Sequence, residues 1–118
     1  MEFAYTELKR IDGRSAGNRF RELLGKNIVM NAYCNGESVV MFTNGRLVVT
    51  DNGEPEMGVS EYLAVDYSKI SMVYCDRNGE VTLHIDPVTE VVLDFLSAED
   101  GPEVCRIVGM SKMDYPLI

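Results

Sequence analysis

The chain has 118 residues and a mass of 13.2 kDa, one domain's worth, and a fold of that size hides about two-thirds of its unfolded surface without disulfide staples. With 46% hydrophobic residues, 25% charged and 4 prolines, the composition is that of a globular protein and excludes a disordered tail, a fibre or a low-complexity segment. The longest apolar run is the four-residue Val39-Val40-Met41-Phe42, against the roughly eighteen residues needed to cross a bilayer. The acidic opening Met1-Glu2-Phe3-Ala4-Tyr5-Thr6-Glu7 is unlike a secretory signal, so a cytoplasmic location is expected.

The net charge of −8 is unevenly spread, at +2 over residues 1–26 and −10 over residues 27–118. This divides the chain into an N-terminal arm (1–26) and an acidic globular part (27–118). Such a surface repels phosphate backbones and anionic headgroups, which argues against nucleic acid and against tight membrane binding, and it favours high solubility in the first place and a basic partner in the second. Within the arm, residues 12–17 read as a flexible loop. Residues 18–25 read as a short helix with Phe20, Leu23 and Leu24 on one stripe, Asn18 able to cap it and Gly25 able to end it. Arg19 and Arg21 lie on its polar side and, with Arg14 of the preceding loop, are candidate partner contacts.

Beyond the arm, the dipeptide Asn-Gly occurs four times, at 35–36, 44–45, 52–53 and 78–79. Asn-Gly tolerates positive φ at both centres of a type I′ turn, so these sites predict tight hairpins. The segments between them have strand character: 27–34, 39–43, 46–51, 61–67, 70–75, 80–86 and 89–96, seven in all. In the sixth, Val81, Leu83 and Ile85 oppose Glu80, Thr82, His84 and Asp86, placing His84 towards water. In the seventh, Val91, Leu93 and Phe95 share a face, leaving Val92 and Leu96 to meet a neighbour. Asp86-Pro87 between these two segments marks a turn. The second and third segments are apolar on both faces and need cover on both sides. One cover is a C-terminal helix with Val104, Ile107 and Val108 at i, i+3 and i+4, starting near Pro102 or after a short turn. Gly109 ends or weakens that helix, and Met110, Met113, Tyr115 and Leu117 trail along the surface.

Residues suited to chemistry are sparse. Cys34, Cys75 and Cys105 are an odd number with no CxxC spacing, so they read as reduced, buried small hydrophobes, not metal ligands. His84 is the chain's one histidine and shares a strand face with Thr82 and Asp86, with no nucleophile tied to it. No catalytic, cofactor-binding or metal-binding residue is assigned, and the chain is expected not to be an enzyme.

Seven antiparallel strands and a terminal helix suit a pleckstrin-homology-like barrel, a lipocalin fragment or an oligonucleotide-binding barrel. Two segments carry a closer resemblance. Val40-Met41-Phe42-Thr43-Asn44-Gly45-Arg46-Leu47-Val48-Val49-Thr50-Asp51 resembles the "FTNxRLxxxD" hairpin of bacterial pleckstrin-homology-like (PH-like) domains. Glu61-Tyr62-Leu63-Ala64-Val65-Asp66-Tyr67-Ser68-Lys69-Ile70-Ser71-Met72-Val73 is similar to that family's "xxIPYxxIxxV" segment, with Asp66 where proline is commoner. The resemblance runs from about residue 27 to residue 110 and leaves the first 26 residues without a counterpart. It implies a mainly β fold: a PH-like barrel of about seven antiparallel strands in two near-orthogonal sheets, capped by the C-terminal helix, with a short N-terminal helix outside it.

The resemblance also suggests Arg46 and Lys69 as anion contacts, as basic loop residues are in lipid-binding relatives, although a solvated or ion-paired rim position suits each better. The expected function is a non-enzymatic protein-interaction or self-assembly module, its partner another protein or a second copy in a homo-oligomer. The alternatives are a small-molecule or lipid-headgroup binder at the barrel rim, and an acidic phage-type inhibitor or nucleic-acid mimic that captures a basic host protein. A headgroup site would need converging bases, yet the loop Asn35-Gly36-Glu37-Ser38 offers one acid and none.

Overall fold

Short polar side chains organise the turns of this chain. In the computed structural model, which describes residues 1–52 and 62–111, the elements run β1 (Glu2–Ile11), α1 (Gly13–Arg19), α2 (Arg21–Leu24), β2 (Val29–Cys34), β3 (Ser38–Thr43) and β4 (Arg46–Asp51). They continue with β5 (Tyr62–Asp66), a 3-10 turn (Tyr67–Lys69), β6 (Met72–Cys75), β7 (Val81–Asp86), β8 (Thr89–Phe95) and α3 (Asp100–Ser111). The Asn-Gly pairs at 35–36, 44–45 and 78–79 each join antiparallel neighbours, as expected. The turn type differs from expectation. Gly36 and Gly79 have φ of 91° and 90°, but the preceding asparagines and Gly45 do not have positive φ, so none is type I′. Side-chain acceptors take over: Asn35 Oδ1 receives the Glu37 and Ser38 N–H groups, and Asp76 Oδ1 receives those of Asn78 and Glu80.

The strands form one eight-stranded sheet in the order β5-β4-β3-β2-β1-β8-β7-β6, open between its edge strands β5 and β6. It is therefore not a closed barrel, and the expected count of seven is short by one. The missing strand is β1, which comes from the segment read as part of an appended arm. Residues 2–5 run parallel to β8, with Tyr5 opposite Leu93, and residues 9–11 run antiparallel to β2, with Arg10 opposite Tyr33. The change of partner occurs at a bulge: Thr6 and Glu7 stand where β8 has only Asp94, and Glu7 adopts φ 55°. The bulge carbonyl of Thr6 accepts from Asn35 Nδ2 at 2.9 Å, and Leu8 O accepts from Leu96 N at 2.9 Å.

Two apolar clusters lie on opposite faces of the sheet. The larger joins Leu8, Tyr33, Phe42, Leu47 and Val65 with Leu83, Val91, Leu93 and Phe95, and receives Val104, Ile107 and Val108 of α3. Tyr33 is its aromatic hub, edge-on to Phe95 at 4.7 Å and to Phe42 at 6.2 Å between ring centres. The smaller cluster sits on the outer side of β2–β4, where Ala32, Val39, Met41 and Val48 meet Ala16, Phe20 and Leu24. The two-sided burial required by β3 and β4 is thus supplied by the larger cluster, built with β7 and β8, on one side and by α1 and α2 on the other, while α3 packs on β6, β7 and β8.

These helices depart from expectation at their ends. Residues 13–17, read as part of a loop, belong to α1, with Asp12 as N-cap: its carboxylate accepts the Ser15 N–H at 3.1 Å and the Ser15 hydroxyl at 2.7 Å. The expected helix over 18–25 is instead split at Phe20, and Gly25 closes α2 with φ 62°. α3 begins at Asp100, puts Pro102 in its first turn and continues through Gly109. Its start presses on the β6–β7 turn so closely that a Cβ on Gly101 would collide with the Gly79 carbonyl oxygen. The courses expected for Met113, Tyr115 and Leu117, the side chain of Met110, Gly53 and Glu61 lie outside the described residues.

Deleting residues 1–11 should therefore abolish the cooperative unfolding transition and not merely shed a tail. A truncated chain with an intact sigmoidal melt would contradict the strand's place in the sheet. A second expectation concerns Asp100, which is 7% exposed and whose carboxyl burial pushes above its ordinary 3.8, with nearby Arg10 opposing and Glu99 and Glu103 adding to the rise. The folded chain holds this proton more tightly than the unfolded one, so the stability it contributes is full below pH 3.8 and is lost as pH rises through the folded value. Asp100→Asn should gain stability relative to the native chain between that acid range and neutral pH in urea titrations; a constant difference at all pH values would refute this.

Candidate functional site

The five basic residues singled out from the sequence do not converge. Arg14 and Arg21 share an open groove of about 400 Å³ with Asn18, Asn27 and Ile28, and Arg21 Nη2 donates to Asn18 Oδ1 at 3.2 Å. Arg19 lies elsewhere, as a structural tie: it donates to Asn52 Oδ1 at 2.6 Å and to Asn52 O at 3.1 Å, with its guanidinium 4.8 Å from the centre of the Phe20 ring. Arg46 Nε stands 3.5 Å from Asp66 Oδ1 across the β4–β5 pair, both side chains exposed. Lys69 is exposed on the 3-10 turn, whose first amide, Tyr67 N, donates to Gly45 O.

The residues carrying the PH-like resemblance do structural work. Thr43, fully buried, donates its hydroxyl to Arg46 O at 2.8 Å and accepts from the Gly45 and Arg46 N–H groups. Asn44 Oδ1 accepts from Ile28 N at 3.1 Å, tying the turn to the segment before β2. The Tyr67 hydroxyl donates to Thr43 O at 2.7 Å, so the two similar segments meet in one hydrogen-bonded corner. Burial pushes the Tyr67 hydroxyl well above the usual tyrosine range, which keeps it a donor at every physiological pH. The cysteines are free, and all three are half-buried instead of fully buried. Among the described residues no three His, Cys, Asp or Glu side chains converge as metal ligands, and no helix is long and apolar enough to cross a membrane.

What the sequence reading did not assemble is the outer face of β6, β7, β8 and β1. Strand register aligns Tyr74 with Thr82, Val92 and Ala4 in one row and Met72 with His84, Glu90 and Glu2 in the next. Met72 is 54% and Tyr74 59% exposed, and Ala4 and Glu2 are also exposed while the other four are partly so. Among the described residues no element covers this face, in contrast to the equivalent side of β2–β4 beneath α1 and α2. His84 points outward as expected, but its neighbour is Glu90 across the strand pair, with Nδ1 3.7 Å from Oε2, and not Asp86. Beside them an open groove of about 290 Å³ continues the face past Met1, Pro87 and Val88. The charged residues at the outward positions, Glu2, Glu80, Glu90 and Asp94, are all acidic. The signal available in the sequence was Met72 and Tyr74: alternating with Val73 and Cys75, they leave the fifth segment apolar on both sides with one helix to cover them.

Thr43→Val keeps the shape of the turn corner while stranding the Gly45 and Arg46 donors, which costs about 1–3 kcal/mol. Chemical denaturation measures it, and a loss below a few tenths of a kcal/mol would show that water replaces the hydroxyl.

No protein-family model matches the sequence, and comparison with curated proteins found no significant match. Among solved structures, the fold is similar to a DUF1696 family protein with a pleckstrin-homology domain from Shewanella loihica. The TM-score is 0.72 at 18% identity, over 92% of this chain and 100% of that one. The chain therefore has the fold of a bacterial PH-like domain: mainly β, with an eight-stranded open sheet, a C-terminal helix and short N-terminal helices.

Proposed function

We propose that this PH-like domain is a non-enzymatic protein-interaction module that takes its partner on the outer face of β6, β7, β8 and β1. The observation that carries this reading is the exposed row Tyr74-Thr82-Val92-Ala4 with Met72 beside it, an apolar strip on a sheet that the chain covers elsewhere. In this reading the bend at Glu7 is the corner between two near-orthogonal layers, one sheltered by α1 and α2 and the other presented to a partner. The occupant is a polypeptide segment with apolar side chains flanked by lysine or arginine, because the charges around the strip are acidic and the edge strand β6 can extend to an added strand. Nucleic acid and anionic membranes do not suit such a surface. The lipid-headgroup alternative is less well supported, since Arg46 is paired with Asp66, Arg19 is bonded to Asn52, and Lys69 stands apart.

Selection of random displayed peptides on the native chain tests this. Enriched peptides should combine apolar and basic residues, bind more weakly at higher salt, and lose at least about tenfold in affinity with Met72→Lys/Tyr74→Lys. An Ile28→Lys/Met30→Lys control, on exposed apolar residues outside the face, should bind as the native chain does. Peptides indifferent to the β6 substitutions, or no enrichment, would refute the reading. Loss of self-association by the β6 variant in sedimentation would make the occupant a second copy.

A further inference from the structure

Cys75 ends β6 on its inward side, and Cys105 lies in α3, one turn after Gly101. Two independent contacts bring these positions together. Gly101 touches Gly79 in the β6–β7 turn, which pins the start of α3 over the end of β6, and both cysteines pack against the same apolar cluster. Cys75 Sγ donates to Asp76 O at 3.6 Å, and α3 packs more closely on β6 than on β7 or β8, so Cys105 lies over the strand that ends in Cys75. Cys34 lies apart, against the cluster beneath α1 and α2.

We propose that Cys75 and Cys105 form a paired modification site, a dithiol that closes to an intramolecular disulfide by exchange with a small disulfide of the glutathione type, cross-linking α3 to the edge strand β6. The Cys75 thiolate attacks one sulfur of the small disulfide, forming a mixed disulfide and releasing one thiolate. Cys105 then gives up its proton and attacks Cys75 Sγ, releasing the second thiolate. The two cysteines lose two electrons, the small disulfide gains them, and the two thiol protons leave on the released thiols. Burial and the adjacent Cys75 push the Cys105 thiol up to about 12, which fits Cys105 as the second, slower attacker. In a reducing compartment the pair stays open and closes only under oxidant. Closure fixes the strand that presents Met72 and Tyr74. The inference does not depend on what binds there.

Incubation of the full chain with glutathione disulfide, followed by acid quench and intact mass, tests it. The product should be lighter by two hydrogens, with a cross-link between the peptides containing Cys75 and Cys105 and a Tm higher by about 10 °C for a loop of this length. Cys105→Ser should instead keep one glutathionyl group on Cys75, Cys75→Ser should not bridge, and Cys34→Ser should bridge as the native chain does. Separate mixed disulfides on Cys75 and Cys105, a bridge through Cys34, or a bridged form that melts lower than the dithiol would overturn the proposal.

Discussion

The bend in β1 is the constraint on which the rest of the molecule depends. One strand serves two neighbours, β8 along its first half and β2 along its last, and it can do so because the chain turns at Thr6 and Glu7. A left-handed backbone at a non-glycine residue such as Glu7 costs about 1–2 kcal/mol. Complete burial of Leu8 immediately after it contributes about 1.5–3 kcal/mol, and the Asn35 amide satisfies the carbonyl exposed by the bulge. Leu8 then sits among residues from both sides of the sheet, with Tyr33 and Phe42 from one and Leu93 and Phe95 from the other. Without the bend those two sides would have no shared core for α3 to close.

The same geometry creates an asymmetry between the two outer surfaces. On β2, β3 and β4 the outward side chains are Ala32, Val39, Met41 and Val48, and the chain spends α1 and α2 on burying them. On β6, β7, β8 and β1 the outward positions mix Met72, Tyr74, Val92 and Ala4 with acids and His84, and no described element follows to cover them. The first surface has to be covered for the domain to fold. The second can stay wet because its acids carry it in solution, which leaves an apolar strip open to association.

Much of this was legible in the sequence, and the failures have specific causes. Period-two alternation located β7 and β8 to within a residue at either end, because each has one clean apolar face. β1 escaped because the bulge breaks that period: Phe3 and Tyr5 point inward at odd positions, and Leu8 does so at an even one. α1 escaped because Gly13 and Gly17 argue against a helix; in the fold both lie against Val29, whose methyls would make an ordinary contact, at 3.4 Å, with a Cβ at either position. The Asn-Gly pairs at 35–36, 44–45 and 78–79 predicted hairpins correctly and turn type wrongly, since neighbouring side-chain acceptors, and not paired positive φ angles, hold them. The basic side chains named as candidate contacts lie at separate places, Arg19 in a tie to Asn52 and Arg46 in a pair with Asp66. The uncovered face could not be read without the register that aligns four separate strands.

Amide hydrogen exchange in the native chain tests the place of β1 most directly. If the strand joins the two sides of the sheet, its hydrogen-bonded amides should exchange only through global unfolding, at the rate of the slowest amides in β3 and β8. β1 amides that exchange orders of magnitude faster, at the rate of a fraying terminus while β2–β8 stay protected, would contradict the account and return these residues to the role of an appended arm.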